Sequence, residues 1–333
     1  MKKILFIERK LDEFVSIERV FRQVAGNLSV SRFEGGFQKL AFGNSISGII
    51  KNLLLFKKKE ADLYHITGHI HYMALVFPRN KTILTIHDLR FLHTKNKIRR
   101  FFLKKLFLDW PVRKLKYLTV ISESTKKELL VVTKCEADKI IVIENPLDDN
   151  LVSTGILRGF NDECPTILQI GTMENKNIPA LIEALEGINC KLRVIGKLNE
   201  KQTELLAKSE ICFENRYEIN DREMRSEYEN ADIIAFCSTY EGFGLPIIES
   251  QAMRKPVITS NLSPMREVSG GAAYLADPFD HLSIREGINK IIHNKKYREN
   301  LIKRGIENIN RFNSESIARK YETLYEEILL ANE

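Results

Sequence analysis

The chain has 333 residues, 44% of them hydrophobic and 29% charged, with a formal net charge of +7. That is the balance of a globular protein, and the length exceeds one ordinary core, so two domains are expected. No run of about 18 apolar residues occurs, which speaks against a membrane-spanning helix. Met1 to Glu8 has two lysines and a short apolar run, then an acid, which reads as a first strand and not as a secretory leader.

In chain order, apolar runs at Ile4–Ile7, Leu63–Ile66, Ile83–Ile86 and Leu118–Ile121 predict strands, with helix-like stretches between them. Such alternation favours a parallel sheet covered on both faces. Nine lysines and arginines face only Asp109 between residues 95 and 116, so the surplus charge is confined to one region. Within 93–116, Ile98, Phe101, Phe102, Leu106 and Phe107 alternate with the cations at helical spacing, predicting an amphipathic helix. Its apolar face can pack on the sheet or meet an anionic membrane surface, and no nucleic-acid recognition motif accompanies the charge. The run Ile140–Ile143 ends this half, and a turn-rich break places the domain boundary between about Asp149 and Pro165.

The alternation then restarts, with strands predicted at Thr166–Gly171, Leu192–Gly196, Glu210–Phe213, Asp232–Cys237 and Pro256–Ser260. Helices are predicted between them, for example Ile178–Glu186 and Arg222–Glu229. The expected domains are therefore 1–150 and 151–313, each doubly wound, facing each other across a cleft with ligands at the strand ends. A last helix at about 314–330 can pack back onto the first domain. Cys135, Cys164, Cys190, Cys212 and Cys237 show no paired spacing and read as buried thiols of a reducing cytoplasm.

The most informative stretch is Ile233 to Ser260. A buried strand leads to a glycine-rich turn, and Pro246 stands where a helix begins. Amides at Gly244 and Leu245, with the helix dipole, suit a phosphate. Glu241 in the turn and Glu249 in the helix make sense as acceptors for hydroxyl groups, so the pattern suits a nucleotide-sugar. Glu241-Gly242-Phe243-Gly244-Leu245-Pro246, with Glu249 eight positions after Glu241, resembles the motif of family-four retaining glycosyltransferases (glycosyl transferases group 1) with the GT-B fold. Asp232, Pro256-Val257-Ile258, Ser263-Pro264 and Glu267-Val268 follow the same pattern, and Arg254 departs from it where glycine is usual.

The resemblance implies that Glu241 binds hydroxyls of the donor sugar, Glu249 the ribose, and the amides of Gly242, Phe243, Gly244 and Leu245 the sugar and phosphates. It also implies that Gly171 opens a turn in which Lys176 grips the diphosphate. Asn175 stands where arginine is common. A fixed cation at Lys176 would stabilise charge on the leaving group. His87, at a strand end before Asp88, matches a histidine that faces the donor sugar. His65, His69 and His71 lack a fourth ligand and a zinc spacing, so they are expected to line the cleft or acceptor side. Neither a metal nor any cofactor beyond the nucleoside diphosphate sugar is implied, and no Asp-x-Asp motif is present.

In the turn after the first strand, Glu8-Arg9-Lys10-Leu11-Asp12 has no glycine. Arg9 and Lys10 are candidates for an anionic acceptor, with surface exposure the expected alternative. The function expected from the resemblance is transfer of a hexose to a glycan acceptor in bacterial surface polysaccharide or lipopolysaccharide synthesis, on the cytoplasmic side. An epimerase or other GT-B enzyme, or a non-catalytic partner subunit, is the alternative.

Overall fold

The computed structural model describes residues 1–10, 16–153 and 158–333. The chain divides into two compact units, Met1–Asp148 with Phe312–Glu333, and Asp149–Arg311. The first contains strands β1 (Lys2–Glu8), β2 (Phe33–Lys39), β3 (Leu63–Ile66), β4 (Thr82–Ile86), β5 (Tyr117–Val120) and β6 (Ile140–Val142). They form one parallel sheet in the order β2-β1-β3-β4-β5-β6. Pairing with period two sorts the strands into two faces. Leu5, Ile7, Leu84, Ile86, Leu118 and Val120 enter one apolar core. On the other face His65, Thr85 and Thr119 are buried beside Phe6, against Phe21, Tyr321 and Tyr325. The two tyrosines come from the last helix, Ser314–Leu330, which belongs to this unit.

The second unit contains β7 (Thr166–Ile170), β8 (Lys191–Ile195), β9 (Cys212–Arg216), β10 (Ile233–Phe236), β11 (Val257–Ser260) and β12 (Tyr274–Ala276). They form a second parallel sheet, β12-β11-β10-β7-β8-β9. The order reverses between β7 and β10, so loops from both leave the sheet side by side there. Asp232 secures the start of this unit by accepting hydrogen bonds from Arg158 and from the amides of Asn161 and Thr166.

Sequence and structure part company mainly at sheet edges. β2 and β12 are not anticipated, because one is a half-exposed strand with two central glycines and the other has three residues. β9 begins at Cys212, two residues later than expected, and Cys212 is exposed, so the reading of all five cysteines as buried is corrected. Cys135 and Cys164 are half-buried, and only Cys190 and Cys237 fit that reading.

The basic stretch is helical from Lys97 to Lys114 in three consecutive pieces, Lys97–Lys104, a wider π-helical turn Lys105–Asp109, and Trp110–Lys114. The packing alternative holds for one side of it. Phe107, Leu108 and Val112 are buried in the core, whereas Ile98, Phe101, Phe102 and Trp110 are exposed. Among the described residues no helix is long and apolar enough to cross a membrane.

Candidate functional site

The switch point of the second sheet brings two turns together, Gly171–Asn177 after β7 and Cys237–Gly244 after β10. Gly171 has φ +86°, and a Cβ there would meet Lys176 Cε at 2.9 Å, so glycine is required for the lysine to fold back over the turn. Gln169, buried at the end of β7, donates to the carbonyls of Gly171 (3.2 Å) and Lys176 (3.3 Å). Asn177 takes the left-handed conformation that asparagine tolerates. Its Nδ2 donates to Cys237 O and Pro278 O, tying the first turn to the second.

Lys176 Nζ lies 2.6 Å from Glu241 Oε1, each side chain about one-seventh exposed, and 4.6 Å from the centre of the Phe236 ring. Asn175, where the resemblance expects arginine, donates from Nδ2 to Tyr240 O (2.8 Å) and to Glu241 Oε1 (3.2 Å). Its carbonyl accepts from the Thr239 amide at 2.8 Å. Asn175 thus fixes the carboxylate by hydrogen bonds where an arginine would add charge.

Gly244, at φ +109°, opens the helix Leu245–Ala252, with Pro246 in its first turn. The first amides of a helix have no partner within it, and the dipole there favours an anion. Gly242 is half-buried and Phe243 buried in this turn. Glu249 is the fifth helical residue, and its Oε2 accepts from the hydroxyl of the fully buried Tyr228. Ser238 Oγ, buried at the end of β10, has no hydrogen-bond partner, an exception of the kind a bound ligand removes.

In the first unit, His87 is buried, and its Nε2 donates to Thr67 O at 2.7 Å. Burial pulls its pKa down to about 4, opposed by that bond, so at neutral pH the ring is uncharged with Nδ1 as its acceptor. His65 and His71 do not line a surface, which corrects that expectation. His65 is fully buried between Tyr325 OH (2.8 Å) and Thr85 Oγ1 (2.7 Å), and His71 is fully buried with Nδ1 on Phe107 O (2.9 Å). Burial pushes both down to about 3.

Only His69 is partly exposed, with Nε2 3.6 Å from Asp88 Oδ2. Arg9 is half-buried and held by Glu18 at 2.7 and 3.2 Å, whereas Lys10 is exposed and Leu11 and Asp12 lie outside the described residues. No three His, Cys, Asp or Glu side chains among the described residues are grouped to hold a metal.

Gln169, Asn177 and Tyr228 support this site without having been singled out in the sequence. Gln169 could have been found as the polar residue that interrupts the apolar run 167–170. Tyr228 leaves no local signal, since it reaches Glu249 only through the fold.

Residues 158–308 match the family model for glycosyl transferases group 1. The chain is 26% identical over 326 residues to the capsular polysaccharide biosynthesis glycosyltransferase CapM of Staphylococcus aureus, covering 88% of this chain and 84% of CapM. It is 25% identical over 270 residues to O-antigen chain mannosyltransferase B of Escherichia coli, covering 71% and 68% respectively. Its fold is similar to that of Anabaena Alr3699/HepE, solved with UDP and glucose, with a TM-score of 0.76, 15% identity, and coverage of 98% and 100%.

Proposed function

We propose that the chain is a retaining, metal-independent hexosyltransferase, a reading supported by the match of residues 158–308 to the glycosyl transferases group 1 family model and by the GT-B fold. It takes a hexose from a nucleoside diphosphate sugar and passes it to a hydroxyl of a glycan acceptor in bacterial capsule, O-antigen or lipopolysaccharide synthesis. It needs no further cofactor. It works on the cytoplasmic side, with 93–116 meeting an anionic membrane surface.

The observation that carries this reading is the Lys176–Glu241 pair beside the helix that opens at Gly244. A diphosphate arriving at those amides draws Lys176 Nζ toward itself and leaves Glu241, still held by Asn175, to accept sugar hydroxyls. As the glycosidic bond breaks, charge grows on the leaving phosphate, where a fixed cation acts most strongly. The acceptor attacks from the same face, its proton passing to that phosphate, so Glu241 is not a nucleophile. Gly171 shapes the lysine's turn, and Gly242, Phe243, Gly244 and Leu245 present the anion-facing backbone. Glu249, steadied by Tyr228, takes the ribose, and His87 orients the acceptor hydroxyl by accepting a hydrogen bond at Nδ1.

The test joins donor binding to transfer. One nucleoside diphosphate sugar should raise the melting temperature selectively. Glu241→Ala and Lys176→Ala should fold normally and lose transfer by about 100-fold or more. A stable Glu241→Ala protein with full transfer would sink the assignment.

A further inference from the structure

The helix Ile46–Leu55 is capped by Ser45, whose Oγ accepts from the Gly48 amide, and it buries Gly48, Ile49 and Asn52. Its other side is apolar as well. Ile46 is 82% exposed, Ile50 51% and Leu54 76%, at a spacing of four that makes one stripe, and Leu55 beside them is 63% exposed. Lys51, Lys57, Lys58 and Lys59 flank the stripe, and no acidic residue occurs between Gly35 and Lys59. The helix over Lys97–Lys114 shows the same combination, with Ile98, Phe101 and Phe102 exposed among Lys97, Arg99, Arg100 and Lys105.

Both helices are anchored to one short segment of the first unit, His71–Val76. Asn52 Nδ2 donates to Tyr72 OH at 2.9 Å, and Asn44 Nδ2, just before the first helix, donates to His69 O at 2.9 Å. From the other helix, Phe107 O meets His71 Nδ1, the Phe107 ring meets that of Tyr72, and Lys114 Nζ donates to Leu75 O. Both helices therefore pack against the stretch from His69 to Val76 within the same unit.

We propose that these helices form one docking face for an anionic lipid bilayer, with Ile46, Ile50, Leu54, Phe101 and Phe102 entering the acyl boundary and the surrounding lysines and arginines meeting lipid phosphates. A protein partner is disfavoured by composition, because lysine is depleted where interfaces bury apolar anchors, whereas apolar residues ringed by Lys and Arg are what anionic bilayers bind. Asn44, just before the first of these helices, is bonded directly to His69, which lies 3.6 Å from Asp88, and this assigns His69 and Asp88 to the head of an acceptor carried on a lipid. That last clause rests on the glycosyltransferase reading, while the docking itself rests on the first unit alone.

The experiment is flotation of the full chain with vesicles of phosphatidylcholine, with and without phosphatidylglycerol. The protein should float with the anionic vesicles only, and raising salt from about 0.1 M to 0.5 M should weaken binding. Ile46→Ser/Ile50→Ser/Leu54→Ser and, separately, Phe101→Ser/Phe102→Ser should each lower binding by about tenfold or more, since each removes several buried methylene equivalents. Both variants change exposed residues and should keep the wild-type melting temperature and nucleotide-sugar response.

Wild-type protein that stays with the pellet, or a triple variant that floats as well as wild type, would overturn the proposal. So would a concentration-dependent dimer that the triple variant dissolves, since the face would then cover a second copy. Flotation retained without any nucleotide-sugar response would uphold the docking and remove the donor reading, so the two failures are distinguishable.

Discussion

Glu241 and Lys176 satisfy one another, so neither pays the full cost of an unpaired charge in a partly buried turn. The three buried imidazoles of the first unit are the opposite case. His65, His71 and His87 have folded pKa values lowered by burial to about 3, 3 and 4, below the unfolded 6.5. A depressed value means stability that is complete above pH 6.5 and lost as pH falls toward 4 and below. Keeping one such ring neutral costs about 2 kcal/mol at pH 5.

Burial raises Glu8, which works in the other direction, but it is a single carboxyl held by Arg22. The melting temperature of the first unit should therefore fall steadily from pH 7 to pH 4.5. A flat profile by circular dichroism would contradict the burial argument.

Among the elements, the last helix is decisive for the first unit. Tyr325 OH meets His65 Nδ1, which continues through Thr85 to Thr119, a chain of hydrogen bonds beneath the helix. Arg32 pairs with Glu322 on the same helix at 2.6 Å. Tyr325→Phe leaves a buried imidazole nitrogen without its partner and should cost about 1–3 kcal/mol, read from denaturant melting. Its effect on nucleotide-sugar binding should be nil, because the residues proposed to bind the donor lie in the other unit. A drop in donor affinity with unchanged stability would refute this separation.

At the scale of the molecule, two units with separate cores predict two responses to one ligand. A nucleoside diphosphate should slow amide hydrogen exchange at 169–177 and 237–249, and leave the strands of the first unit unchanged. Protection concentrated on β1 to β6 instead would place the donor on the wrong unit.

Most of the parallel strands were legible because central strands of such sheets are buried on both faces and so are written as continuous apolar runs. The strand–turn–helix unit around Glu241 was legible because a glycine turn, a helix start and two carboxylates sit within nine residues. What the sequence by itself determined is thus local: the fold class, the places of the central strands along the chain, and the residue types of one strand–turn–helix unit. What only the tertiary structure decided depends on contacts between distant positions. It set the edges β2 and β12, the pairing of Lys176 with Glu241 65 residues away, and Asn175 as a tie where a charge was expected. It also buried His65 and His71 and left Ile46–Leu55 with an uncovered apolar stripe. Burial is a property of what packs against a residue, and no spacing along the chain states which neighbour that will be.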